Sequence, residues 1–160
     1  MMARLTKGVM SSEHSDWVTP YSLYAKLDIE FRFDRDVCAS PGTEMCARYY
    51  SPEDDGLAQD WSENYCNWMN PPYGNQIGKW MKKAYDSNAN VVCLVPARTD
   101  TGWWHKYVMG KATEVRFIRG RVKFSRNGGE PAPAPFPSAI VVYRAGVRKF
   151  PTMMSAYERE

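Results

Sequence analysis

A chain of 160 residues, 44% hydrophobic and 24% charged, is long enough to bury a core without disulfides or metals and too apolar to be disordered throughout. No run of 18 apolar residues is present, which excludes a membrane-spanning helix, and the opening stretch MMARLTKGVMSSEHSDW lacks the apolar segment of a secretory signal. The net charge of +3 is unevenly spread: residues 1–75 hold 6 Lys/Arg against 12 Asp/Glu and residues 76–160 hold 15 against 6, a pattern that suits one anionic partner and one cationic or polyhydroxylated partner.

Residues 1–15 are polar and read as a flexible arm, with 16–160 as one domain. Thr19-Pro20 predicts a helix start, Thr as cap and Pro in the first turn, leading into YSLYAKLDIEF with Leu23, Leu27 and Phe31 four apart. FRFDRDVCA then reads as a strand in which Phe31, Phe33, Arg35 and Val37 share one parity. Residues 40–64 are rich in loop formers, with a short strand at ARYY. YCNWM (65–69) is a short apolar strand that must stop at Asn70-Pro71-Pro72-Tyr73-Gly74, because two prolines cannot continue a central strand. Residues 75–87 place Ile77, Trp80, Met81 and Ala84 on one helical face. VVCLVP (91–96) has the unbroken apolar pattern of an internal parallel strand, and 102–110 reads as a short helix.

EVRFIRGRVKF predicts strand, Gly120, strand. NGGEPAPAPFPS (127–138) is a long Pro/Gly segment, either a mobile ligand-facing loop or a hairpin connection. SAIVVYR (138–144) is a strand, and AGVRKF is expected to add another before a polar end. This order predicts an α/β domain with a mainly parallel core and an antiparallel C-terminal edge. In such sheets ligands bind beyond the carboxyl ends of the strands, and Asn70–Tyr73 lies at such an end.

Two consecutive prolines remove two backbone donors and leave acceptors, the Asn70 side-chain oxygen and the Pro71 carbonyl, with Tyr73 adding a flat face. This set suits a planar group bearing an NH₂: the exocyclic amine of adenine or cytosine, or a carboxamide. The lone pair of such an amine is delocalised, and two acceptors binding both hydrogens pull the nitrogen toward sp³ geometry as charge develops. In the basic half, Arg98, Lys106, Lys111, Arg116, Arg119, Arg121, Lys123 and Arg126 face only Asp100 and Glu114, and aromatics lie between them, a composition suited to phosphate contact and stacking. Arg116 shares parity with Ile118 and Val122, so these cations do not form one clean face. Cys38, Cys46, Cys66 and Cys93 make no CxxC pair and only two histidines accompany them; no metal site is expected, and the thiols read as reduced and cytoplasmic. No Pro-Cys dipeptide offers the nucleophile of cytosine C5 methylation. His105, beside Trp103 and Trp104, reads as structural.

The Asn70–Tyr73 segment resembles the (Asp/Asn/Ser)-Pro-Pro-(Tyr/Phe) motif of amino-methyltransferases that use S-adenosylmethionine. Together with Trp17-Val18-Thr19-Pro20, Phe33-Asp34-Arg35-Asp36-Val37-Cys38-Ala39-Ser40, Asp54-Asp55-Gly56-Leu57 and Asp60-Trp61, it is similar to the phage and prophage Dam-type DNA adenine N6-methyltransferases over residues 15–145. The resemblance implies a compact Rossmann-like methyltransferase sheet, S-adenosylmethionine as cofactor, a flipped DNA adenine as substrate and a cytoplasmic setting, that of the host if the chain is phage-encoded. It implies cofactor contacts from Trp17, Thr19, Pro20, Asp36, Cys38, Ala39, Asn70 and either Asp54 or Asp55, and a target-amine site at Asn70, Pro71, Pro72 and Tyr73. DNA contacts are expected from Arg98, Lys106, Arg116, Arg119, Arg121, Lys123 and Arg126. The chain departs from larger methyltransferases in having DVCASPG where a Phe-x-Gly-x-Gly motif is common. The rival readings are methylation of RNA adenine or of cytosine N4, methylation of a protein glutamine, whose carboxamide would fit the same acceptors, and a catalytically idle DNA-binding module.

Overall fold

The computed structural model describes residues 17–62, 64–126, 128–147 and 152–159; the expected arm over 1–15 lies outside them. The elements in chain order are α1 (Tyr21–Phe31), β1 (Arg35–Asp36), β2 (Arg48–Tyr49), a 3₁₀ turn (Gly56–Ala58), β3 (Cys66–Met69), α2 (Ile77–Asp86), β4 (Asn90–Pro96), α3 (Gly102–Tyr107), β5 (Glu114–Ile118), β6 (Lys123–Phe124), β7 (Ala132–Pro133), β8 (Ser138–Tyr143) and β9 (Met153–Tyr157). Seven strands form one sheet in the order β2-β1-β3-β4-β8-β5-β9, and β6 and β7 form a separate two-stranded ribbon.

The α/β class is as expected. Strands β2, β1, β3 and β4 run parallel, β8 is antiparallel to both β4 and β5, and β9 pairs with β5 in parallel. The reversed strand is therefore interior, where an antiparallel edge was expected. The composition of β8 explains this: all six residues of SAIVVY are buried, which requires cover on both faces and a neighbour on each side. The edge is β9, whose Met153–Ala156 are exposed. Its pattern has no buried face, so nothing in the sequence marked it. The expected strand AGVRKF is not formed at its start, where Ala145-Gly146 is a turn with Gly146 at φ 75°; residues 148–150 lie outside the described chain.

Helix α1 claims Phe31, which the strand parity had assigned to the sheet. Arg32 then turns left-handed (φ 54°), its N–H bonding the Asp28 carbonyl at 2.8 Å, and the Asp28 carboxylate accepts the Phe33 N–H at 2.8 Å. Only Arg35–Asp36 remains to pair as β1. At the other end the capping position is Pro20 in extended conformation, with no side-chain cap; Thr19 has a different partner, described below. Helix α2 buries Ile77, Met81 and Ala84, spaced four and three apart as the periodicity predicts. β4 buries Val91 through Pro96.

The Pro/Gly segment is a hairpin connection. Ala132–Pro133 pairs with β6, the Ala134 N–H bonds the Val122 carbonyl at 2.8 Å, and Ala134 and Phe136 are buried. Ser125, just after β6, exchanges backbone hydrogen bonds with Val18 (3.0 and 3.3 Å), which ties the strap Trp17–Thr19 to the ribbon. Because β1, β3 and β4 are parallel, their carboxyl ends lie on one side of the sheet, so that Val37–Ala39, Asn70 and Ala97 emerge together.

Candidate active site

A cavity of about 310 Å³ opens at these strand ends, in the range of small-molecule sites. It is lined by the strap and Asn70–Pro72, by Asp36 and the turn after β1, and by Tyr50, Asp55, Gly56 and Trp80.

Asn70 is held from three sides. Its Nδ2 donates to the Trp17 carbonyl at 2.7 Å and to Thr19 Oγ1 at 3.1 Å, so both amide hydrogens are bound and Oδ1 is turned the other way. The Tyr73 hydroxyl lies 2.5 Å from that Oδ1 and 3.1 Å from the Leu94 carbonyl, and its single proton serves one acceptor at a time. Oδ1 keeps a second lone pair, and no described donor reaches the Pro71 carbonyl. Tyr73 departs from expectation. Its ring is 5% exposed, stacked on Trp17 (centroids 6.2 Å, 28°) and met edge-on by Phe124 and Phe136. It offers no free face in this structure, because four aromatic rings bury more apolar surface against one another than one ring would against water.

Asp36 is 2% exposed, with the Cys38 and Met45 N–H groups bonding its two oxygens at 3.1 Å each. Burial pushes its carboxyl up to about 6, against the pull of those two bonds. It is a buried acid lining a cavity, and no described residue forms an ion pair with it. Cys38 and Ala39 also line the cavity; burial pushes the Cys38 thiol far up, so it is not a thiolate nucleophile. Between the two acids expected at the turn, the structure separates the roles. Asp55 reaches the cavity from a left-handed backbone (φ 52°). Asp54 does not: its carboxylate accepts the Ser51 N–H at 2.8 Å and the Ser51 hydroxyl at 2.9 Å, closing the turn and holding its pKa down. Pro20 also lies away from the cavity, its carbonyl bonding the Leu23 and Tyr24 N–H groups at the start of α1.

Several further residues build the cavity without having been assigned a role from the sequence, although Gly56 and Trp61 lie in segments that carry the resemblance. Tyr50 is placed by Arg35, whose Nη1 donates to its hydroxyl at 2.9 Å while Nε donates to Asn67 Oδ1 at 3.0 Å. Gly56 passes so close to β1 that a Cβ there would sit 2.3 Å from the Val37 carbonyl oxygen. Its own carbonyl accepts the Trp61 indole N–H at 2.9 Å, and Trp61 stacks behind Trp80. Trp68 also lines the cavity.

The basic residues do not behave as a set. Arg116 is withdrawn from any phosphate: it is 9% exposed, bonded to both Glu30 oxygens (2.7 and 2.6 Å) and to Glu114 at 2.6 Å. β5 lies between β8 and β9 with α1 over it, so this guanidinium joins helix to sheet. Glu30 is held below the ordinary carboxylate range, first by its hydrogen bonds to Arg116. Arg98, Lys106, Arg119, Arg121, Lys123 and Arg126 are exposed, although Arg119 has Glu158 at 3.4 Å. Two of them stand beside Tyr73's aromatic neighbours: Arg126 over the Trp17 ring at 4.5 Å and Arg98 by the Phe136 ring at 5.8 Å. His105 lies outside the cavity, its ring nitrogen 2.8 Å from the Thr99 carbonyl. Among the described residues no cluster of three or more His, Cys, Asp or Glu could hold a metal ion.

The family model for DNA N-6-adenine-methyltransferase (Dam) matches residues 7–159. The chain belongs to the Dam family. A DNA N-6-adenine-methyltransferase of Haemophilus phage HP1 is 30% identical over 129 residues, covering 77% of this chain and 74% of that protein. One of Escherichia phage T1 is 30% identical over 118 residues, and the match covers 71% of this chain and about half, 49%, of the T1 protein. The Escherichia coli putative methyltransferase YfdM is 32% identical over 65 residues, 40% of this chain and 71% of its own. A solved structure, a predicted O-methyltransferase from Agrobacterium tumefaciens, overlaps 69% of this chain and 52% of its own at 13% identity with a TM-score of 0.37, a slight likeness. Within this Dam-family chain, the cavity gathers Trp17, Thr19, Asp36, Cys38, Ala39, Asp55 and Asn70–Pro72 from four separate segments.

Proposed function

We propose that this chain methylates the N6 amine of an adenine flipped out of DNA, using S-adenosylmethionine bound in the strand-end cavity. DNA adenine methylation is the activity of the family to which the chain belongs; the donor, the flipped base and the residue roles are our reading. The observation that carries it is the Asn70 amide, locked by its nitrogen with one lone pair of Oδ1 left beside the Tyr73 hydroxyl, in the same cavity as the buried Asp36.

The cavity's residues fit the cofactor. Asp36 offers a carboxylate to a cationic amino-acid end, Asp55 a carboxylate to ribose hydroxyls, and Tyr50, Trp68 and Trp80 apolar walls to a nucleoside. Bound there, the cofactor supplies an electrophilic methyl group. The chain's own part is to hold the amine. Asn70 Oδ1 and the Pro71 carbonyl accept its two hydrogens, and their pull strengthens as the nitrogen becomes tetrahedral and positive, so they act on the transition state more than on the bound base. No strong base is required, because the proton leaves after the nitrogen has become cationic. The apolar walls exclude water that would compete for the acceptors. A duplex adenine reaches them only after leaving the stack, at about a few kcal/mol. In this reading Arg98 and Arg126, exposed beside the Phe136 and Trp17 rings, hold the flanking phosphates, with Lys106, Arg119, Arg121 and Lys123 as further phosphate contacts.

The test is transfer of tritiated methyl from S-adenosylmethionine to duplexes with adenine, with N6-methyladenine already in place, or with no adenine, followed by nucleoside analysis. Label in N6-methyladenine is expected only from the first. Label in cytosine or in protein glutamine, or no transfer to any duplex, would refute the reading.

A further inference from the structure

The amide at the centre of the site is oriented by residues fifty positions earlier in the chain. Both hydrogens of Asn70 Nδ2 are bound, one by the Trp17 carbonyl at 2.7 Å and one by Thr19 Oγ1 at 3.1 Å. Thr19 is 6% exposed, too enclosed for bulk water to replace it. The strap that carries both acceptors is itself fixed, since Val18 exchanges two backbone hydrogen bonds with Ser125. Of the two acceptors, the hydroxyl can turn and donate, whereas the carbonyl can only accept.

We propose that the Trp17 carbonyl and the Thr19 hydroxyl are the positioning pair of the target-amine acceptor, and that they make an amide, not a carboxylate, the working group at residue 70 of this chain. The proposal rests on the reading of Asn70 Oδ1 as that acceptor. With the nitrogen bound, the oxygen must face the other way, toward the Tyr73 hydroxyl and the place of the incoming amine. An ionised carboxylate at the same position sets oxygen against oxygen at the 2.7 Å contact with Trp17, with no hydrogen between them. A carboxyl there keeps its orientation only while its outer oxygen holds a proton and donates it to Trp17. Asp36 and Asp55, which line the same cavity from the end of β1 and from the loop before the 3₁₀ turn, add negative charge that favours this protonated form. Arg126, over the Trp17 ring, acts in the opposite sense, and the Tyr73 hydroxyl is neutral.

The experiment is single-turnover methyl transfer to a duplex at saturating cofactor, from pH 6 to 8.5, for wild type, Asn70→Asp, Thr19→Val, Thr19→Ser and Asn70→Ala, with melting temperature recorded at each pH. The Asn70→Asp rate, as a ratio to wild type, is expected to fall by about tenfold per pH unit above its carboxyl pKa, since only the protonated form is oriented. The wild-type amide has no proton to lose at residue 70 in this range, so its own rate is not expected to show that fall. Thr19→Val, equal in volume, is expected to slow the turnover about three- to tenfold, the worth of one lost hydrogen bond, without a matching change in cofactor affinity, and Thr19→Ser to restore it. A pH-independent Asn70→Asp ratio, or a Thr19→Val rate equal to wild type, overturns the positioning role, while an inactive Asn70→Ala leaves the acceptor reading standing. Asn70→Ala turning over as fast as wild type defeats the acceptor reading itself. If Asn70→Asp unfolds at the upper pH, the Thr19 pair decides.

Discussion

Replacing Asn70 with alanine deletes two bonds to the strap, at 2.7 and 3.1 Å, and the acceptor 2.5 Å from Tyr73. Tyr73 can turn its proton to the Leu94 carbonyl, 3.1 Å away, so it is not left without a partner. The two strap bonds are worth about 1 kcal/mol each, which gives a stability loss of about 2 kcal/mol. In a protein of this size that lowers the melting temperature by roughly 4–8 °C. The strap remains bridged to Ser125, and Asp36, Tyr50 and Trp80 are untouched, so S-adenosylhomocysteine affinity should fall only a few-fold. Methyl transfer should fall far more, by about a hundredfold or beyond, the scale for removing one preorganised polar group that acts on the transition state. Differential scanning fluorimetry, calorimetry with S-adenosylhomocysteine and single-turnover labelling read the three quantities separately. The reasoning fails if the transfer rate stays within about threefold of wild type, or if cofactor affinity collapses in parallel with the rate.

Three further outcomes are expected. Asp36 has a folded-state pKa of about 6 against an unfolded 3.8, so its ionisation destabilises the cofactor-free protein as pH rises through that window. A cationic ligand binds the ionised form, so cofactor affinity should rise with pH through about 6 and lose that dependence in Asp36→Asn; a flat wild-type calorimetric profile counts against the assignment. Gly56→Ala drives a Cβ into the Val37 carbonyl and against Trp80 (3.2 Å), and should weaken S-adenosylhomocysteine binding by about tenfold or more; unchanged affinity would mean that this loop does not shape the site. Arg98→Ala with Arg126→Ala should flatten the log–log salt dependence of duplex affinity by about 1–2 units, measured by fluorescence anisotropy, whereas Arg116→Ala should leave that slope unchanged and instead lower stability by about 3 kcal/mol; a flattened slope in Arg116→Ala would refute the division drawn among the cations.

The α/β class, the placement of Asn70–Tyr73 at a strand end and the family were legible in the sequence because each rests on local chemistry. Two prolines end a strand wherever they occur, and an unbroken run such as VVCLVP must be buried on both sides. Local pattern does not carry partnership across the chain. Thr19-Pro20 has the form of a helix start, yet the threonine's hydroxyl serves Asn70, because the strap is laid against the end of β3 by a bridge to Ser125. Arg116 looks like any other basic residue of its half until Glu30, 86 positions away, is brought over β5. Tyr73 has the residue type of a stacking platform, but its ring is enclosed by Trp17, Phe124 and Phe136. Asp54 and Asp55 are neighbours of one type, yet Asp55 borders the cavity from a left-handed backbone while Ser51 takes the Asp54 carboxylate. The sequence by itself determined which groups could do the chemistry; which of them meet, and which are neutralised or covered, was decided by long-range packing, because burial and hydrogen-bond partners belong to the folded chain and not to the residue.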